Sequence, residues 1–126
     1  MAYKRFEDLK VWQLSRDFRK AVYEITKKFP KQEQYALTDN IRRAANSVAC
    51  NIAEGHGRYH FQENIQCCRI SRGSVNEVLD QLYTAIDAKY IKKEEFDILY
   101  KQGREVEQVL NGYIAYLQEQ VQETKA

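Results

Sequence analysis

The chain holds one proline, five glycines and one tryptophan in 126 residues. Folds built from many short strands need a steady supply of turn residues, so this shortage excludes an all-β sandwich or barrel, and long linkers with it. No run approaches the ~18 apolar residues of a membrane span. The N-terminus, MAYKRFEDLKVW, is charged where a secretory leader needs an apolar core. Cys50, Cys67 and Cys68 are odd in number, include an adjacent pair and form no C-x-x-C. They are expected to be reduced thiols acting mostly as small buried hydrophobes. The expectation is a cytoplasmic, soluble protein. Catalytic signatures are missing too: no phosphate loop, nucleophile elbow or H-E-x-x-H is present. His56 and His60, with Glu63, Cys67 and Cys68 nearby, suggest a metal site at first sight. Gly57 separates the histidines, however, and Glu-x-x-His pairs are lacking. Neither a metal nor a cofactor is expected, and the chain is expected not to be an enzyme.

What is present points to helices. A hydrophobic content of 44% supports one packed domain over residues 1–126, and 30% charge supports a solvated surface. Asp8 is a plausible cap for a first helix whose stripe is Val11, Leu14, Phe18, Ala21 with Val22, Ile25 and Phe29, ended by Pro30. A second begins near Tyr35 and should stop at Gly55 and Gly57. A third spans about His60 to Tyr90 on Phe61, Ile65, Cys68, Val75, Leu79, Leu82 and Ile86. A fourth begins near Lys93 on Phe96, Leu99, Gly103, Val106, Leu110, Tyr113, Leu117 and Val121, with a tail expected to fray after Gln122. Tyr3 and Phe6, in the lead-in, are free to pack back on the body. Four helices with short connections imply an all-α, antiparallel up-down-up-down four-helix bundle.

The second helix stands out. Leu37, Ile41, Ala44, Val48 and Ile52 form one apolar stripe, while Ala45, Ala49 and Ala53 form another of small residues. Two apolar faces imply packing on two sides, and the alanine face is a candidate contact between copies of the chain. The charge is uneven as well. Residues 1–72 carry 14 Lys and Arg against 8 Asp and Glu; residues 73–126 carry 6 against 10. That split suits either a basic surface for nucleic acid or attraction between two halves. Lys10, Arg16, Arg19, Lys20 and Lys27 read as a solvated face of the first helix. Around the second and third helices gather Arg42, Arg43, Asn46, Asn51, Glu54, Arg58, Arg69 and Arg72. Arginine forks fit phosphates and carboxylates equally. If Glu54 takes them, with Arg72 the expected partner, the set is a structural network; if several stay free, it is a phosphate-binding patch. Gly73, inside the third helix, implies either close approach of a backbone or simple tolerance.

LKVWQLS, KKFP, LTDNIRRAANSV, NIAEGHGR and ENIQCCRISRGSVNEVLDQL together resemble the 23S rRNA intervening-sequence protein family, over about Leu9 to Leu117. The resemblance implies an antiparallel four-helix bundle assembling as a homopentameric ring with a basic channel, and no established enzymatic activity. It also extends to the accessory proteins of diversity-generating retroelements, which work with a reverse transcriptase and RNA. It thus implies a homo-oligomer that binds RNA or DNA, with Arg42, Arg43, Arg58, Arg69 and Arg72 as positions to test. The alternative is a scaffold that recruits a protein partner such as a reverse transcriptase, without touching nucleic acid. Two positions depart from the family's habit. Ala49 stands where many members have proline. His60 and Lys92 stand where many have a Ser or Thr cap, which should weaken those caps by about 1 kcal/mol each.

Overall fold

Four amphipathic segments become four helices in the computed structural model, which describes residues 5–125; the expected packing of Tyr3 lies outside them. The helices are α1 (Lys10–Thr26), α2 (Leu37–Gly57), α3 (Phe61–Asp87) and α4 (Lys93–Lys125), with short 3-10 turns at Phe6–Asp8 and Lys31–Glu33. No strand occurs among the described residues. Each helix packs on its two neighbours in a closed square, and α4 returns to α1. Cross-helix contacts give the direction of every pair. Thr26 meets Arg42 and Tyr23 meets Asn46; Ser71 meets Val48 and Ser74 meets Ser47; Asn76 meets Glu107 and Asn64 meets Tyr113; Lys28 meets Glu95. Gly103 of α4 lies against Phe18 of α1, further from the Lys28–Glu95 end. In each pair one number rises as the other falls, so all four neighbours are antiparallel.

The core follows the apolar stripes, with differences in α1, α3 and α4. At the ends of the α3 stripe Phe61 is exposed, and Ile86 is half-buried while its neighbour Ala85 takes the buried place. In α1 the buried ridge is Val11, Ser15, Phe18, Val22 and Ile25, and Leu14 and Ala21 are only half-buried. Ser15 is tolerated there because its hydroxyl donates to the Val11 carbonyl at 2.7 Å. In α4 the buried residue is Ile114, while Tyr113 sits on the flank and reaches in to accept a bond from Asn64. In α3 Ser71 takes the buried place beside Arg72, and its hydroxyl donates to the Val48 carbonyl at 2.7 Å. Two glycines serve close packing. A Cβ on Gly55 would lie 2.8 Å from the Cys67 Cβ, and one on Gly103 would lie 2.7 Å from Leu79 Cδ2. Gly73 faces open space, so tolerance is its explanation.

Helix ends also differ from expectation. Leu9, not Asp8, precedes α1; the Asp8 carboxylate instead accepts the Arg5 backbone N–H. Helix α2 begins at Leu37, passes Gly55 and ends at Gly57, as expected, but neither glycine takes the left-handed conformation. The left-handed residues that turn the chain are Tyr59 (φ 54°) and Lys89 (φ 64°), and no glycine has positive φ. His60 does cap α3, accepting the Glu63 N–H at 3.4 Å, and Glu95 accepts the Lys92 N–H at 2.8 Å at the start of α4. Beyond Gln122 the helix continues to Lys125, with the Thr124 hydroxyl bonded to the Val121 carbonyl.

Helix α2 is packed on two sides as its two stripes require, by α1 and α3 of the same chain, with the Phe6–Asp8 turn against it as well. Ala45 and Ala49 are therefore fully buried within one chain, and Ala53 is half-buried. Small side chains here let the chain's own helices close in, so this stripe presents little surface to another copy.

Candidate nucleic-acid interface

The five arginines singled out in the sequence do not converge. Arg42 lies on the flank of α2 that meets α1. Its Nε donates to Thr26 Oγ1 at 2.8 Å, and its guanidinium lies 4.8 Å from the centre of the Tyr23 ring. Arg43, one position on, points outward and pairs with Asp39 one turn earlier. Arg58, at the end of α2, pairs with Glu54 at 3.0 Å and Glu63 at 3.1 Å. Those bonds, Glu63 first and Glu54 second, hold its guanidinium above the usual arginine range. Arg72 is half-buried and donates to Asn111 Oδ1 of α4 at 2.9 Å, so Glu54 is not its partner. Glu54 is taken by Arg58. Arg69 is exposed and makes no hydrogen bond or ion pair among the described residues. Three of the five thus join elements of the bundle, one pairs within its own helix, and one is free.

A different basic surface forms where α1 meets α2. Trp12, Arg16, Arg19, Tyr23 and Thr26 follow one another at spacings of four and three, on the flank of α1 turned toward α2. Tyr23 and Thr26 contact Arg42 and Asn46 directly, which fixes that orientation. Arg16 lies 5.8 Å from the Trp12 ring, and Lys20 is exposed one turn on. The outer face of this layer therefore carries Arg16, Arg19, Lys20, Arg42 and Arg43 interleaved with two aromatics. The cations of α1 look like a solvated face when that helix is read alone. The spacing that aligns Arg16 and Arg19 with Tyr23 is present in the sequence; what the sequence lacks is the identity of the neighbour.

The layers are oppositely charged. Residues 10–58, forming α1 and α2, carry ten Lys and Arg against five Asp and Glu. Residues 61–125, forming α3 and α4, carry eight against eleven. Since α1–α2 and α3–α4 are opposite sides of the square, the difference appears as a basic face and an acidic face. On the acidic side Arg104 is held by Tyr100 and by Glu107 at 2.8 Å. Burial works to raise the Glu107 carboxyl, but bonds from Asn76 and Arg104 outweigh it and hold the group below the usual range.

The cysteines divide. Cys67 and Cys68 are buried, as expected of most of the three, and Cys50 is exposed on α2. Burial pushes the Cys68 thiol up to about 12. Among the described residues no three His, Cys, Asp or Glu side chains gather as a metal-holding group, and no helix is long and apolar enough to cross a membrane.

Closed square, antiparallel neighbours and polar seams place the chain among antiparallel four-helix bundles. The family model for the 23S rRNA-intervening sequence protein matches residues 7–112, so the chain belongs to that family. A crystal structure of a protein of unknown function from the S23 ribosomal protein family of Bacteroides thetaiotaomicron shares the fold, with a TM-score of 0.74 and 21% identity, over 82% of this chain and 97% of that one. No curated protein matches the chain.

Proposed function

We propose that the protein is a non-enzymatic, cytoplasmic nucleic-acid-binding bundle whose partner is RNA, held by its phosphates on the α1–α2 face. The observation that carries this reading is the segregation of charge between the two layers. Arginine and lysine spaced along two adjacent ridges suit a phosphate backbone, and the aromatics between them suit stacking. The family's name supports RNA over DNA. The test is a titration of fluorescently labelled structured RNA at several salt concentrations, with the wild type and an Arg16→Glu/Lys20→Glu/Arg43→Glu variant. These three side chains are chosen because Arg42 also holds α1 to α2. Wild-type affinity should fall steeply with salt, and the variant should lose affinity with a slope reduced by about 0.9 per phosphate contact removed. Absence of binding at low salt, or an unchanged slope in the folded variant, overturns the reading.

Opposite charge on opposite faces also favours a second reading. The basic face of one copy complements the acidic face of the next, and a head-to-tail contact of this kind closes into a ring. A homo-oligomer, a pentamer by the family resemblance, would then act as a scaffold for a protein partner such as a reverse transcriptase. Light scattering separates the two. In the scaffold reading the same triple variant dissociates into smaller species with no RNA present.

A further inference from the structure

At one end of the bundle a hollow of about 340 Å³ opens between the α2–α3 turn and the last turn of α4. Tyr59, Phe61 and Gln62 form one wall, and Val121, Thr124 and Lys125 the other. Both aromatics are presented to solvent: Tyr59 is 73% exposed and Phe61 37%. Tyr59 holds the left-handed backbone position of the turn, although Gly57 lies two residues earlier at the end of α2. A bulky residue in that conformation is strained, and such strain gathers at binding sites.

A path leads away from the hollow. Gln62, Gln66, Arg69 and Gly73 are all exposed and follow one another at spacings of four, three and four, so they form one outer stripe of α3. No acidic residue interrupts it. Arg69, the free arginine, stands two turns from Gln62, about 10 Å along the axis. One wall of flat aromatic rings, amide and hydroxyl groups beside it, and a cation about 10 Å away together match a nucleotide strand, which pairs a flat base with an anionic backbone.

We propose that this hollow receives an unpaired base of single-stranded RNA, stacked on Tyr59 or Phe61, with the backbone following the outer stripe of α3 to Arg69. The inference rests on the RNA reading above and adds a second contact remote from the α1–α2 face. Phosphates on that face are indifferent to pairing, whereas the hollow requires a base out of the duplex.

The full chain is titrated with an unstructured oligouridine and with a blunt RNA duplex of the same length. Tyr59→Ala/Phe61→Ala should bind oligouridine about tenfold or more weakly, with duplex affinity unchanged within about twofold. Tyr59→Trp should retain oligouridine binding. Tyr59→Gly suits the left-handed backbone and should weaken oligouridine binding without lowering Tm. Undiminished oligouridine affinity in the Ala or Gly variants, or equal losses for both RNAs, overturns the proposal and leaves duplex binding standing. If the wild type binds neither RNA, this proposal and the RNA reading fall together.

Discussion

At the scale of single residues, space rather than residue type decides what a position tolerates. The glycines of α3 and of the α2 end look alike in sequence. A methyl group added at Gly73 would meet nothing within 4 Å, so Gly73→Ala should raise stability by about 1 kcal/mol through helix propensity alone. Gly55 lies against Asn64 and Cys67, with the Asn64 Cα itself 3.2 Å from an added Cβ. A backbone atom cannot move aside as a side-chain tip can, so Gly55→Ala should destabilise by about 1–3 kcal/mol despite the same propensity gain. Thermal unfolding of the two variants should move Tm in opposite directions; parallel shifts would refute the packing argument. Neither glycine's role is legible in the sequence. The one-dimensional pattern marks a glycine inside a helix, and only the neighbouring helix determines whether a methyl group has room.

At the scale of elements, polar seams hold the helices in register. Arg42 joins α1 to α2 through Thr26 Oγ1 and the face of Tyr23. A hydrogen bond from a charged donor and a half-exposed cation–π contact each contribute on the order of 1 kcal/mol. Arg42→Ala and Tyr23→Ala, made singly and together, should therefore show a coupling of about 0.5–1 kcal/mol in denaturant unfolding. Additive effects would mean that the contact contributes nothing. The helix stripes themselves are largely legible, because a period of 3.6 labels the inward side whatever it packs against. Periodicity misleads at the edges of stripes, at Leu14 against Ser15 and at Tyr113 against Ile114. There two adjacent residues lie on either side of the boundary, and the angle of the neighbouring helix selects between them. Arg72 misleads for a related reason. It follows the spacing of the core, but its long side chain runs along the α3–α4 seam to Asn111 and leaves the buried place to Ser71.

At the scale of the whole molecule, two carboxylates bonded across the bundle make stability depend on pH. The Glu95 carboxyl is held below its usual range by its bond from Lys28 and then by the Lys92 backbone N–H. Glu107 is depressed as well, because bonds from Asn76 and Arg104 overcome its burial. A carboxylate depressed in the folded state stabilises the fold above its unfolded pKa and loses that contribution as pH falls through the folded value. Stability should thus be level at neutral pH and decline below about pH 4.5. Glu107→Gln should flatten that decline in a series of Tm measurements across pH; an identical acid limb in the variant would exclude Glu107 as a source.

The sequence by itself determined the helical class, the number of helices, their order and most of the inward-facing residues, because local periodicity, a scarcity of turn residues and short connections each act along the chain. It also contained the uneven charge of the two halves. Tertiary structure alone decided which arginines are tied and which is free, that Ala45 and Ala49 are consumed inside the chain, and that the cations of α1 lie beside those of α2. Hydrogen bonds and faces depend on which helices become neighbours and at what height. Those are properties of packing in three dimensions, which no spacing within a single helix encodes.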